Sequence, residues 1–172
     1  MNAFLILWSV VQIGKPNLLT EQIILKNSAI PFEQAVVLVA IESSFRTNLP
    51  KTAAQGLMQV TPVALKEIQN RVIKYSIRGD ALTDTETEFL DECLQVVAIK
   101  KANLSKPQVS VRAGSCYFKL LLIDYDGDIY KAVTHYNGGG AAVKALLKHK
   151  PWPETRDYLG KFDRFSYYIG AR

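Results

Sequence analysis

The sequence predicts a mainly α-helical domain, with at most a short irregular β segment near residues 47–60. Three observations carry this reading. Apolar residues recur at helical spacing in separate runs, as in Val63, Leu65, Ile68, Val72 and Tyr75. Start signals precede those runs: Thr61-Pro62 places a capping side chain before a proline at the first helical position, and Thr83 with Glu86 forms a capping box. Outside residues 47–60 the chain shows no sustained period-two alternation. Its 172 residues suit one domain, read here as 1–172 with a helical extension, 1–28, packed on it. An apolar content of 48% with 22% charged residues excludes disordered and low-complexity classes.

The elements follow in order. Residues 3–13, AFLILWSVVQI, are too short to span a bilayer, which takes about 20 apolar residues. Nothing basic precedes Lys15 and no A-x-A pattern follows, so a standard export signal is not expected. The run reads as a helix on the domain core, with membrane or partner docking as the other reading. Thr20 is placed to cap a short helix reaching Asn27, and Pro31 breaks the chain before a strongly apolar helix over 32–45. The helix opened by Thr61-Pro62 gives way to a turn at Gly79-Asp80. The capping-box helix then carries Phe89, Leu90, Cys93, Leu94, Val97 and Ile99. Pro107 separates it from a helix with Val111, Tyr117, Leu120 and Leu121, and DYDGD at 124–128 is a turn. A helix over 129–136 stops at three glycines, a short one covers 141–149, Pro151 and Pro153 bracket a turn, and the last helix begins near Glu154.

Cys93 and Cys116 have neither scaffold nor CxxC spacing. Both sit in apolar helical stretches and read as buried free thiols, with one disulfide left open. The net charge, +5 from 21 basic and 16 acidic residues, favours polyanionic surfaces without choosing among them. Lys and Arg are scattered rather than clustered with aromatics, so nucleic acid is not an expected partner.

Chemistry gathers in three segments. In AIESSF, residues 40–45, Glu42 ends a helix that is apolar on nearly all sides. Desolvation and the negative helix end both disfavour its ionised form, which tunes a general acid to neutral pH; a Glu turned to solvent is the alternative. In AAQGLMQVTP, residues 53–62, Gly56 permits positive φ, Leu57 and Met58 look like packing residues, and Gln59 offers an amide to sugar hydroxyls or acetamido groups. The bland alternative is a solvated loop. In HYNGGG, residues 135–140, Tyr136 and Asn137 supply an aromatic face and an amide, as a pyranose-binding groove demands, or else an ordinary helix end.

Together, ESSF, GLMQVTP beginning 14 residues after Glu42, VRAGxxYFxxLL at 111–122, HYNGGG, and PETRDYL at 153–159 resemble the soluble lytic transglycosylases. The resemblance covers roughly residues 30–170 in the family's order. It implies a goose-type-lysozyme-like catalytic domain. By position, Glu42 corresponds to the family's catalytic acid/base and Ser43 to its Glu-Ser pair. Met58 and Gln59 fall on the segment lining the glycan groove. Tyr136 and Asn137 fall on Ala-Tyr-Asn, and Glu154 and Tyr158 on ETRxY at the far side of the cleft, where a helix-start Glu and a core Tyr are the plain readings. Ser110-Val111, Ala53 and His135 depart from the usual Asn-Ile, Gly and Ala.

The resemblance implies cleavage of the N-acetylmuramic acid–N-acetylglucosamine bond of peptidoglycan. Two-carboxylate glycosidases need a second Asp or Glu. Glu33 lies about 13 Å back along the same helix, and Asp124, Asp126 and Asp128 lie in a turn the family does not use. With no partner carboxylate, the sugar's own C6 hydroxyl supplies the nucleophile and a 1,6-anhydro product results. Simple hydrolysis, and a wall-binding structural part of a phage tail or secretion system, are the rivals. DYDGD lacks the full calcium-loop pattern, so neither metal nor cofactor is expected. The expected setting is a phage virion or the bacterial envelope, with tail or secretion proteins as partners of the N-terminal helix.

Overall fold

The computed structural model describes residues 18–49, 53–78 and 81–170. These form seven α-helices: α1 (Leu18–Asn27), α2 (Phe32–Ser43), α3 (Pro62–Arg78), α4 (Asp84–Cys93), α5 (Pro107–Asp124), α6 (Ile129–Leu147) and α7 (Pro153–Ile169). Among the described residues the only β feature is an isolated antiparallel bridge, Gln55 with Val60, inside the segment expected to hold one. The apolar run 3–13 and the Gly79-Asp80 turn lie outside the described residues.

The hub is α5. Ten of its 18 residues are buried, Ser110 through Leu121 in nearly continuous sequence. A helix with so wide a buried surface needs neighbours around most of its girth, and α1, α2, α3, α4 and α6 all pack on it. Helix α2 is similarly enclosed: Ala35 through Ala40 are buried, and α2 lies between α5 and α7. By contrast α3 is amphipathic, turning Ala64, Leu65, Ile68, Val72 and Tyr75 inward.

The start signals act as expected at two helices. Thr61 Oγ1 accepts from Ala64 N at 3.1 Å, and the Thr83–Glu86 box closes in both directions, at 3.2 and 2.9 Å. Thr20 does not cap: α1 already begins at Leu18, and Thr20 is buried within it. Helix α2 ends earlier than expected, at Ser43, because Ser44 and Phe45 take left-handed φ of 50° and 61°. The helix expected to run past Cys93 tightens into a 3-10 segment, Leu94–Ala98. There Gln69 Nε2 donates to the carbonyls of Val96, Val97 and Ile99 at 3.2, 3.3 and 2.9 Å. Those bonds, with the low helix propensity of adjacent valines, take the place of another α turn. The stop expected at the glycines is a kink: α6 bends at Gly139 (φ 69°, ψ −175°) and continues to Leu147.

The free-thiol expectation for Cys93 and Cys116 is corrected. The two form a disulfide joining the end of α4 to the middle of α5, with Cα atoms 5.8 Å apart. Sequence spacing could not reveal that α4 packs on α5 so as to bring the two cysteines together.

Candidate active site

The helix end that carries Glu42 is fixed before any ligand enters. After six buried residues, α2 stops with Ser44 N bonded to Ala40 O at 3.0 Å, and Arg46 N and Nε both donate to Ser43 O, at 3.0 and 3.2 Å. Two successive non-glycine residues in the left-handed region are costly, and Phe45, though bulky, is held there by burial. Such strain persists where surrounding packing over-determines it, and here it sets the exit of the chain beside Glu42.

Glu42 is half-buried. Its Oε1 accepts a 2.5 Å hydrogen bond from the Tyr158 hydroxyl of α7. Desolvation raises its pKa from 4.5 to about 7, against the opposing pull of the Tyr158 bond. The side chain keeps a solvent-facing edge, yet protein surrounds it closely enough that charge is poorly solvated. Tyr158 and Tyr136 are both pushed well above the usual phenol range, first by burial and then by the negative charge of Glu42. Both phenols therefore stay protonated and act as donors.

The 53–60 loop is folded onto the central helix. Ser110 Oγ donates to Gln55 O at 3.1 Å and accepts from Met58 N at 3.0 Å. Gly56, at φ 76°, packs so closely that a Cβ would come within 2.4 Å of Ser110 Cβ and 2.6 Å of Leu104 O. Gly114 of α5 gives equal clearance to Met58 and the Tyr136 hydroxyl; a Cβ there would stand 2.5 Å from Met58 Cβ. Tyr136 then donates to Met58 O at 2.8 Å, tying α6 to the loop.

The expected site residues fall into distinct places. Tyr158 touches Glu42 directly. Tyr136 stands near enough for the carboxylate to perturb it. Gln59 (φ 45°) turns its amide back to Gly56 O at 2.8 Å and, with Tyr136 and Asn137, lines a cavity of about 300 Å³. Glu42 is not among the residues lining that cavity, and its link to it is the charge that Tyr136 feels. Met58 has a fully buried side chain, so its contribution to this region is its backbone. The Ser43 hydroxyl is buried and donates to Val39 O at 2.9 Å, back into its own helix rather than toward the carboxyl. Glu154 is exposed in the first turn of α7.

With that geometry in hand, the family comparison is decisive. A family model described as the transglycosylase SLT domain matches residues 21–159. The chain belongs to this family. The SLT match spans Glu42, the 53–60 loop, Tyr136, Asn137 and Tyr158. A solved X-ray structure of an inactive Glu-to-Gln mutant of lytic transglycosylase Slt from Pseudomonas aeruginosa shares the fold, with a TM-score of 0.64 and 20% identity. The match covers 94% of this chain and 25% of that one, so this SLT domain spans about a quarter of Slt's length. The lysozyme-like helical fold is thereby shown.

Sequence reasoning passed over several residues that shape the site. Ser110, noted as a departure, holds the loop through both its donor and its acceptor. Gly114 sits in the quoted VRAG segment, but its role depends on which element crosses it. Tyr117 stands in the same quoted segment, whereas Glu67 and Tyr125 gave no local signal. His135, another departure, bonds through Nδ1 to the Tyr125 hydroxyl at 2.7 Å.

Proposed function

We propose that this chain is a peptidoglycan lytic transglycosylase in which Glu42 is the single acid/base. The observation that carries the reading is Glu42 itself: a desolvated carboxyl with a pKa near 7, held by Tyr158 beside Tyr136. Protonated Glu42 donates to the glycosidic oxygen leaving C1 of N-acetylmuramic acid. An oxocarbenium-like state develops, with the N-acetyl group able to assist at C1. Glu42, now a carboxylate, takes the proton from the C6 hydroxyl as that oxygen bonds to C1. The bond to the leaving sugar breaks, a 1,6-anhydro ring forms, and no water is consumed. Tyr158 steadies the carboxylate between the two transfers.

Support for internal attack comes from the surroundings of Glu42. The shift of Glu42 is set by burial and by the Tyr158 hydroxyl, with no second carboxylate among its causes. Retaining glycosidases hold their two carboxyls about 5–5.5 Å apart, close enough for strong mutual perturbation. The groove roles of Gln59, Tyr136 and Asn137 rest on the cavity they line together, whose Tyr136 also feels the charge of Glu42, with Met58 acting through the carbonyl that accepts from Tyr136. Ser43 supports the helix end, and the role of Glu154, exposed at the start of α7, rests on the family resemblance of its segment.

Mass spectrometry of digested peptidoglycan tests this reading. Muropeptides one water lighter than hydrolysis products are expected; ordinary reducing ends identify a hydrolase, and intact wall leaves a binding protein.

The disulfide fits an oxidising compartment outside the cytoplasm, such as the envelope or a virion surface. No helix among the described residues is long and apolar enough to cross a membrane. We take a wall-opening role in a phage particle, docked through tail or secretion-type structural proteins, as the setting to test first. Recovery of the protein from purified particles supports it, and its confinement to the host envelope removes it.

A further inference from the structure

The cavity lined by Gln59, Tyr136 and Asn137 has features that cleavage alone does not require. Its roughly 300 Å³ are lined by the start of α3 (Val63, Ala64, Glu67), by Tyr117 of α5, and by His135 and Tyr136 of α6. That volume is at the small end for ligand pockets, about 300–1,000 Å³, and holds one sugar unit or a side chain rather than a whole disaccharide. The protein as a whole carries +5, yet Glu67 is the charged group among the described residues lining this cavity.

The Glu67 carboxylate accepts a 3.3 Å bond from the neutral Tyr117 hydroxyl. One turn along α3, Arg71 stands at the position best suited to pair with it. That arginine is instead committed to Asp124, through Nη1 at 2.7 Å and Nη2 at 3.1 Å. The rings of Tyr117, Tyr136 and His135 crowd the same wall, with centroids 5.6 Å apart for Tyr117–Tyr136 and 6.3 Å for Tyr117–His135. The Tyr125 bond fixes the His135 ring in place. A half-buried carboxylate backed by aromatic faces is the chemistry that receives an alkylammonium ion.

We propose that this cavity is a subsite for a primary ammonium group of the substrate, with Glu67 as its counter-ion and Tyr117 and Tyr136 as its walls. The inference rests on the reading that the chain acts on peptidoglycan. Two parts of that polymer present the group: the side-chain amine of a diamino acid in the peptide stem, and the 2-amino group of a de-N-acetylated glucosamine.

The test uses uncrosslinked glycan strands bearing peptide stems, offered either with free amines or after complete N-acetylation. For the wild-type protein, kcat/KM is expected to fall roughly tenfold on acetylation, the scale of one lost charge-assisted contact. In Glu67→Gln the ratio between the two substrates is expected to approach one, and Glu67→Asp to restore part of it. Equal kcat/KM for both substrates in the wild type overturns the proposal while leaving the cleavage reading intact. Peptide-free strands separate the sources: preference recovered by partial de-N-acetylation assigns the sugar amine, and preference confined to peptide-bearing strands assigns the stem. If the wild type cleaves neither substrate, the functional reading falls, and calorimetric titration with the same pair decides this inference alone. Tighter binding of the free-amine form supports it, and equal affinity overturns it.

Discussion

Replacing Glu42 by Gln should stabilise the fold at pH 8 and change little at pH 4. In the unfolded chain the carboxyl titrates near 4.5, and in the folded protein near 7. Between those values the folded state binds the proton more tightly than the unfolded state, so stability falls as pH rises. At 1.36 kcal/mol per pKa unit, the loss is complete above pH 7 and amounts to about 3 kcal/mol. Gln keeps an oxygen to accept from Tyr158 but never ionises, so it escapes the loss. For a domain of this length the melting temperature of Glu42→Gln should exceed that of the wild type by roughly 6–12 °C at pH 8. The gap should close as pH falls through 7 toward 4.5. Differential scanning calorimetry of both proteins across that range reads the effect. A gap independent of pH, or a less stable variant at pH 8, would refute the claim that the carboxyl is desolvated.

Three further outcomes follow from other contacts. Tyr158→Phe removes the bond that favours ionised Glu42, so the alkaline limb of the activity profile should move up by about one pH unit; an unmoved or lowered limb counts against that bond. Gly56→Ala places a Cβ within 2.4–2.6 Å of Ser110 and Leu104 at positive φ, and should cost about 2–4 kcal/mol in denaturant titration; a near-neutral result means the loop does not sit against α5 as described. Reducing Cys93–Cys116, which closes a loop with a sequence separation of 23, should cost about 3 kcal/mol. Thiol labelling with a melting curve checks it, and two reactive thiols with no fall in melting temperature would be the contrary result.

The fold was legible where its causes are local. Capping at Thr61 and Thr83, prolines at helix starts and the apolar faces of α3 and α5 are written in neighbouring residues, and the structure follows them. Glu42 was partly legible for the same reason: an acid at the end of an apolar run is either desolvated or turned to solvent, and the structure shows the desolvated case. What the sequence hid depends on packing between distant elements. The disulfide needs the docking of α4 on α5. The inward turn of Ser43 needs the phase at which α2 ends. The loop's anchor on Ser110 spans 55 residues, and the Glu67 cavity is walled from three helices. No short window contains those partners, so no periodicity could announce them. The resemblance supplied order and candidate roles, but the particular departures, Ser110 and His135, acquired meaning only from what they touch.

The account turns on one proton held by Glu42 near neutrality and given to the glycosidic oxygen. The pH dependence of anhydro-muropeptide release by wild type and Glu42→Gln tests this most directly. The wild-type kcat/KM should fall above pH 7 with an apparent pKa of about 7, and Glu42→Gln should lose roughly 100- to 10,000-fold at every pH. A wild-type limb centred near 4.5, or anhydro products released by Glu42→Gln at the wild-type rate, would contradict it.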